Sequence, residues 1–222
     1  DVYKRQQIRD TFFIENKLLY KLGLISFQIG ALILASAPVI AITFLIFSSI
    51  VASINRIDNY FSDKYNYPFF IASIFMVINC ILLTFNYNLS VNSTSNIWIG
   101  LSNWLPFFWC FWSFQLYLFN QELRIKTAKI LIFGTIPVLV SCFCQYFLKM
   151  YGPYRILNNT IIWYQRPLGS DNGVTGLFNN QNYAGAWLCM ILPLCLVFLI
   201  RERKKIFLRF LFFLLSINFV YT

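Results

Sequence analysis

The chain has 222 residues, of which 59% are hydrophobic, 20% aromatic and only 12% charged, with a mean hydropathy of +0.63. Such values exclude an ordinary soluble domain and predict an all-α, polytopic transmembrane bundle. Net charge is +10, but Lys and Arg gather at the ends of apolar segments instead of along one face, which argues for membrane orientation and against nucleic acid as a partner.

The first residues, DVYKRQ, lack a Met and do not read as a native start, and the chain stops at Thr222 inside an apolar run; both features are expected of an amino-terminal fragment. Residues 1–21, with Lys4, Arg5, Arg9, Lys17 and Lys21, read as a cytoplasmic segment, and residues 22–222 as the transmembrane domain. Leu22 to Ile54 is ambiguous between one kinked helix and a hairpin of two short arms. A hairpin is expected, turning near ASAPV where Pro38 removes a backbone donor; each arm would be about 16 residues, or ~24 Å. Further spans are expected over Phe69 to Phe85, Trp98 to Phe119, Ile130 to Leu148, Tyr183 to Ile200 and from Ile206 to the end, giving about 6–7 crossings. Loop 86 to 97 is uncharged, whereas loop 120 to 129 carries Arg124, Lys126 and Lys129, and loop 201 to 205 reads RERKK. The positive-inside rule makes the first extracytoplasmic and the other two cytoplasmic, with loop 55 to 68 also inside and loop 149 to 182 outside.

Trp98, Trp104 and Trp187 suit an interfacial belt, and Trp109 and Trp112 pack deeper. All six Cys fall in apolar segments without metal or redox spacing, as expected of small buried hydrophobes. There is no His, so the commonest general base and metal ligand is missing. Pro137 and Pro193 could break their helices, but no ionisable residue accompanies them, which argues against a transporter site at mid-depth.

Loop 149 to 182 is the one long polar excursion, with Lys149, Arg155 and Arg166 against the single acid Asp171. An Arg fork suits phosphate, but long basic side chains near helix ends also reach to lipid headgroups; both readings stand for Arg155 and Arg166. The loop ends in GLFNNQNYAGAWL, where Asn179, Asn180 and Asn182 precede a spanning helix. One Asn suffices as an N-cap, so the other amides are either ordinary interfacial residues or the lining of a polar cavity for sugar hydroxyls, beside the positive end of a helix dipole.

This stretch resembles the signature of the O-antigen ligase and O-antigen polymerase family, a G-x-F-x-N-x-N-x-x-A-like motif leading from an outer loop into a membrane helix. Gly176, Phe178, Asn180 and Asn182 fill it, and Gly185 stands where the family often has Ala. IIWYQRP and NWLPFFWCFW also look like the cyanobacterial branch, and the resemblance covers residues 22 to 222, about the amino-terminal half of a typical member. It implies metal-independent glycosyl transfer at the outer face of the bacterial cytoplasmic (inner) membrane, without a cofactor. The donor would be an undecaprenyl-diphosphate-linked glycan, and the acceptor a lipid A core sugar or the nascent glycan. On this resemblance Arg166 and Arg155 are the catalytic candidates, contacting diphosphate, and Gly176, Phe178, Asn180, Gln181 and Asn182 form the substrate-binding set. The second outer loop of the family, bearing Arg and His, is not supplied here. The family also includes proteins proposed to act in bicarbonate uptake, so a transporter or an inactive fragment are the alternatives.

Overall fold

The computed structural model describes residues 17–55, 60–85, 91–168 and 173–201. Six helices and one small sheet are assigned among them: α1 (Lys17–Ile33), α2 (Pro38–Asn55), α3 (Tyr67–Thr84), α4 (Val91–Phe114), α5 (Gln121–Phe147), β1 (Tyr154–Ile156), β2 (Ile161–Trp163) and α6 (Gln181–Arg201). Among the described residues, four helical segments are long and apolar enough to cross a membrane: Pro38–Asn55, Lys64–Thr84, Gln121–Phe147 and Gln181–Ile200. The expected span from Ile206, the RERKK loop beyond Arg201, the acid Asp171 and the basic residues before Lys17 lie outside the described residues.

Leu22 to Ile54 is a hairpin. Ser36 N and Ala37 N both donate to the Ile33 carbonyl, at 3.1 and 2.8 Å, closing the turn. Pro38 opens α2, where a missing N–H leaves nothing unsatisfied; it starts the second arm more than it breaks the first. The arms meet closely because Gly30 has no side chain: a Cβ there would lie 2.8 Å from Leu45 Cγ and 3.1 Å from the Ala41 carbonyl oxygen. Ser26 Oγ donates to the Phe44 carbonyl at 2.9 Å on the same face.

The chain divides into two compact units, one of residues up to Ile25 with Ile46–Phe119, the other of Ser26–Leu45 with Asn120 onward. In the first, Tyr117 is fully buried and its hydroxyl donates to the Ser48 carbonyl at 2.8 Å. Trp109 Nε1 donates to Ser53 Oγ at 3.0 Å, so this Trp joins α4 to α2 as expected of a deep position. Trp112 is buried against Tyr60, and Trp98 Nε1 reaches Thr84 Oγ1 at 2.9 Å. Helix α4 begins at Val91, so residues 91–97 are helical, where the sequence suggests a loop.

The second unit is built on α5 and α6, with Val138, Leu139, Cys142, Leu188, Ile191 and Cys195 in its core. Helix α5 starts nine residues before the expected Ile130, because the Asn120 side chain accepts from Leu123 N at 2.7 Å and caps it. Arg124, Lys126 and Lys129 therefore stand on the first turns of α5 and not in a loop. Both α5 and α6 continue through Pro137 and Pro193; helices packed in a bundle re-satisfy the carbonyl that a proline frees. Gly134 lets α1 approach α5 so closely that any Cβ would run into the Leu32 carbonyl oxygen. All six Cys are free; Cys80, Cys142 and Cys195 are buried, Cys110 and Cys144 half-buried, and Cys189 exposed.

Candidate functional site

The segment between α5 and α6 lies against the flank of α5 and does not stand clear of its end. β1 and β2 pair antiparallel, Arg155 opposite Ile162, and Trp163 Nε1 donates to the Ser36 carbonyl in the α1–α2 turn at 2.8 Å. Beyond β2 the backbone pairs with the approach to α6: Tyr164 N donates to Leu177 O at 3.4 Å and Gln165 N to Gly176 O at 3.1 Å. Gln165 is buried, with φ +31, and its Nε2 is held by Ser141 Oγ at 2.6 Å. On the opposite limb Gly176 has φ +54, and a Cβ there would lie 2.8 Å from Cys142 Sγ; glycine alone meets both conditions.

Depth follows from one hydrogen bond. Trp187 Nε1 on α6 donates to Thr135 Oγ1 on α5 at 3.0 Å, and the two helices run in opposite directions. At 1.5 Å rise per residue, the start of α6 lies roughly 9 Å short of the end of α5. Trp187 is thus a bridge between helices, a role beyond the expected interfacial belt.

An open cavity of about 170 Å³ occupies this recess, lined by Arg166, Thr175, Asn179, Asn180, Gln181 and Asn182. Asn180 is the cap: its Oδ1 accepts from Asn182 N at 2.7 Å, while its carbonyl accepts from Tyr183 N and Ala184 N at 3.2 and 3.3 Å. The Asn179 side-chain oxygen accepts from Arg166 Nη2, and the Gln181 side-chain oxygen accepts from Gly173 N. The oversupply of amides therefore divides into one cap, one anchor for a guanidinium and one tie for the loop, with Asn182 exposed at the cavity wall.

Of the expected residues, the structure brings together Arg166, Asn180, Gln181 and Asn182 at the cavity. Gly176 and Phe178 stand behind it: Gly176 is buried in the turn, and Phe178 packs on Trp187 at 6.3 Å between ring centres. Arg155 is exposed on β1 and is not among the lining residues. Two contributors went unread in the sequence, namely Thr175 and Gln145, and Asn179, noted among the amides, stands outside the expected substrate-binding set. Gln145 is fully buried on α5 and bonds to both limbs of the loop. Its one sequence signal is a polar amide inside the apolar stretch VSCFCQYF, where a group that needs partners must find them in the protein.

Among the described residues the lining contains one cation, one hydroxyl and four amides, and no carboxylate. Asn179 holds the guanidinium as a neutral acceptor, a bond that positions the group without neutralising its charge. The first-turn amides of α6 and its dipole add positive potential at the same place. Chemically, a lining of this kind can accept an anionic group flanked by hydroxyls. Compared with known proteins, the chain matches no family model, no curated protein and no solved structure.

Proposed function

We propose that the cavity receives the diphosphate and first sugar of an undecaprenyl-diphosphate-linked glycan at the outer face of a bacterial cytoplasmic membrane, for transfer of that glycan. The observation that carries this reading is the charge arrangement: Arg166 held by neutral Asn179, beside the Asn180-capped start of α6. In the transfer, an acceptor hydroxyl oxygen on a lipid A core sugar or on the nascent glycan bonds to the anomeric carbon. The bond from that carbon to the diphosphate oxygen breaks, negative charge gathers on the departing diphosphate, and the hydroxyl proton passes to that diphosphate or to solvent. A guanidinium already in place for that charge costs no reorganisation as the bond breaks. Amides of Asn180, Gln181 and Asn182 suit sugar hydroxyls, since each offers both donors and an acceptor. The recessed position suits a donor whose lipid chain stays in the bilayer while its head group enters from the side.

In cells that carry the gene, Arg166→Ala is expected to remove long-chain surface glycan, with transfer falling about 100-fold or more, at unchanged protein level in the membrane. A normal glycan ladder in that variant contradicts the assignment. The small volume of the cavity favours, as a second reading, passage of a small anion such as bicarbonate. A normal ladder together with lost bicarbonate uptake would establish that reading instead.

A further inference from the structure

We propose that Gln145 is the positioning residue of this cavity: from α5, outside the loop, it fixes where the Arg166 side chain leaves the backbone by bonding both limbs of the loop at once. The inference deepens the binding role of the cavity and rests on it for its functional meaning.

A glutamine side chain has two N–H donors and an oxygen with two acceptor sites. All four are used. Nε2 donates to the Arg166 carbonyl at 2.6 Å and to Thr175 Oγ1 at 3.2 Å. Oε1 accepts from Thr175 N at 3.1 Å and Gly176 N at 2.9 Å. Thr175 Oγ1 in turn accepts from Arg166 N at 3.1 Å. Both backbone polar groups of Arg166 therefore end on Gln145, one directly and one through Thr175.

That geometry makes the helix, and not the loop, the reference for the cation. Gln145 is buried on α5 and cannot drift with the loop, and site residues referred to a rigid element are held more closely than loop residues alone. It also explains how irregular backbone is tolerated alongside an apolar helix, where each unpaired N–H or C=O would be costly. Gln165 does the same for its own segment through Ser141, whereas Gln145 bonds residue 166 and the approach to α6 together.

The test places cysteines at 166 and 179 (R166C/N179C) in the full chain in membranes, its native cysteines replaced by alanine, and follows cross-linking by a bifunctional thiol reagent whose spacer matches the reach of the Arg–Asn side-chain pair, with the joined peptide identified by mass spectrometry. The pair is expected to cross-link readily in the parent. Gln145→Met and Thr175→Val should each slow the reaction at least tenfold. Thr175→Ser, which keeps the hydroxyl, should stay within twofold of the parent. Thr175→Val guards against a Gln145→Met chain that fails to insert, and its thermal stability is measured alongside. Unchanged cross-linking in both variants, Thr175→Ser as slow as Thr175→Val, or a parent pair that does not react, each overturns the proposal. No ligand enters the measurement, so its outcome is separate from whether a glycan diphosphate is what binds.

Discussion

Gly176 shows how one residue can carry two constraints. Its left-handed backbone costs other residues roughly 1–2 kcal/mol, and its Cα hydrogens face Cys142 Sγ where a methyl would crowd. Gly176→Ala is expected to lower thermal stability, and Cys142→Ala in the same chain to restore only the part due to crowding. Full restoration would show that backbone strain contributes nothing. Asn180 separates folding from binding in a different way. Asn180→Ala removes the cap of α6 and should cost about 1 kcal/mol. Asn180→Asp keeps the cap acceptor and should hold stability near that of the parent, yet its negative charge at the cavity should weaken binding of any anion. If Asn180→Asp binds an anionic ligand as well as the parent does, the cavity is not an anion site.

At the scale of elements, what could be read in the sequence was the apolar length of each helix, and what escaped was where helices end. Hydropathy marks the part of a helix matched to lipid, but caps set the ends. Asn120 starts α5 among charged residues that look like a loop, and residues 91–97 join α4 despite their polar letters. The α1–α2 hairpin was legible because Pro38 has a fixed backbone effect whatever surrounds it. The recess was not legible, since it depends on the bond from Trp187 to Thr135 and on Gln145, contacts between residues far apart in sequence. Likewise the motif residues Gly176 and Phe178 stand out as letters but support the cavity from behind. Close helix packing gives a direct check: Gly134→Leu should separate α1 from α5 and destabilise the unit by about 1–3 kcal/mol, measured by thermal unfolding in detergent. A neutral Gly134→Leu would contradict the close approach at Leu32.

For the whole molecule, orientation and ligand remain the two claims that join fold to function. Arg124, Lys126 and Lys129 gather at one end of α5 and the cavity lies toward the other, so the proposed function takes the cavity to be outside, in line with the positive-inside rule. In a chain without its native cysteines, a cysteine at position 159 in the β1–β2 turn should react with an impermeant thiol reagent added to intact cells. One at position 126 should not, and the reverse pattern inverts the orientation. The central claim is that Arg166 and the amides at the start of α6 bind a lipid-linked diphosphate sugar. It is tested most directly by titrating the purified full chain with a short-chain isoprenyl diphosphate sugar, comparing the parent with Arg166→Ala. Losing charge-assisted hydrogen bonds of about 1.5–3 kcal/mol should weaken binding roughly 10- to 150-fold. Equal affinity in the two chains, or no binding to the parent, would contradict the account.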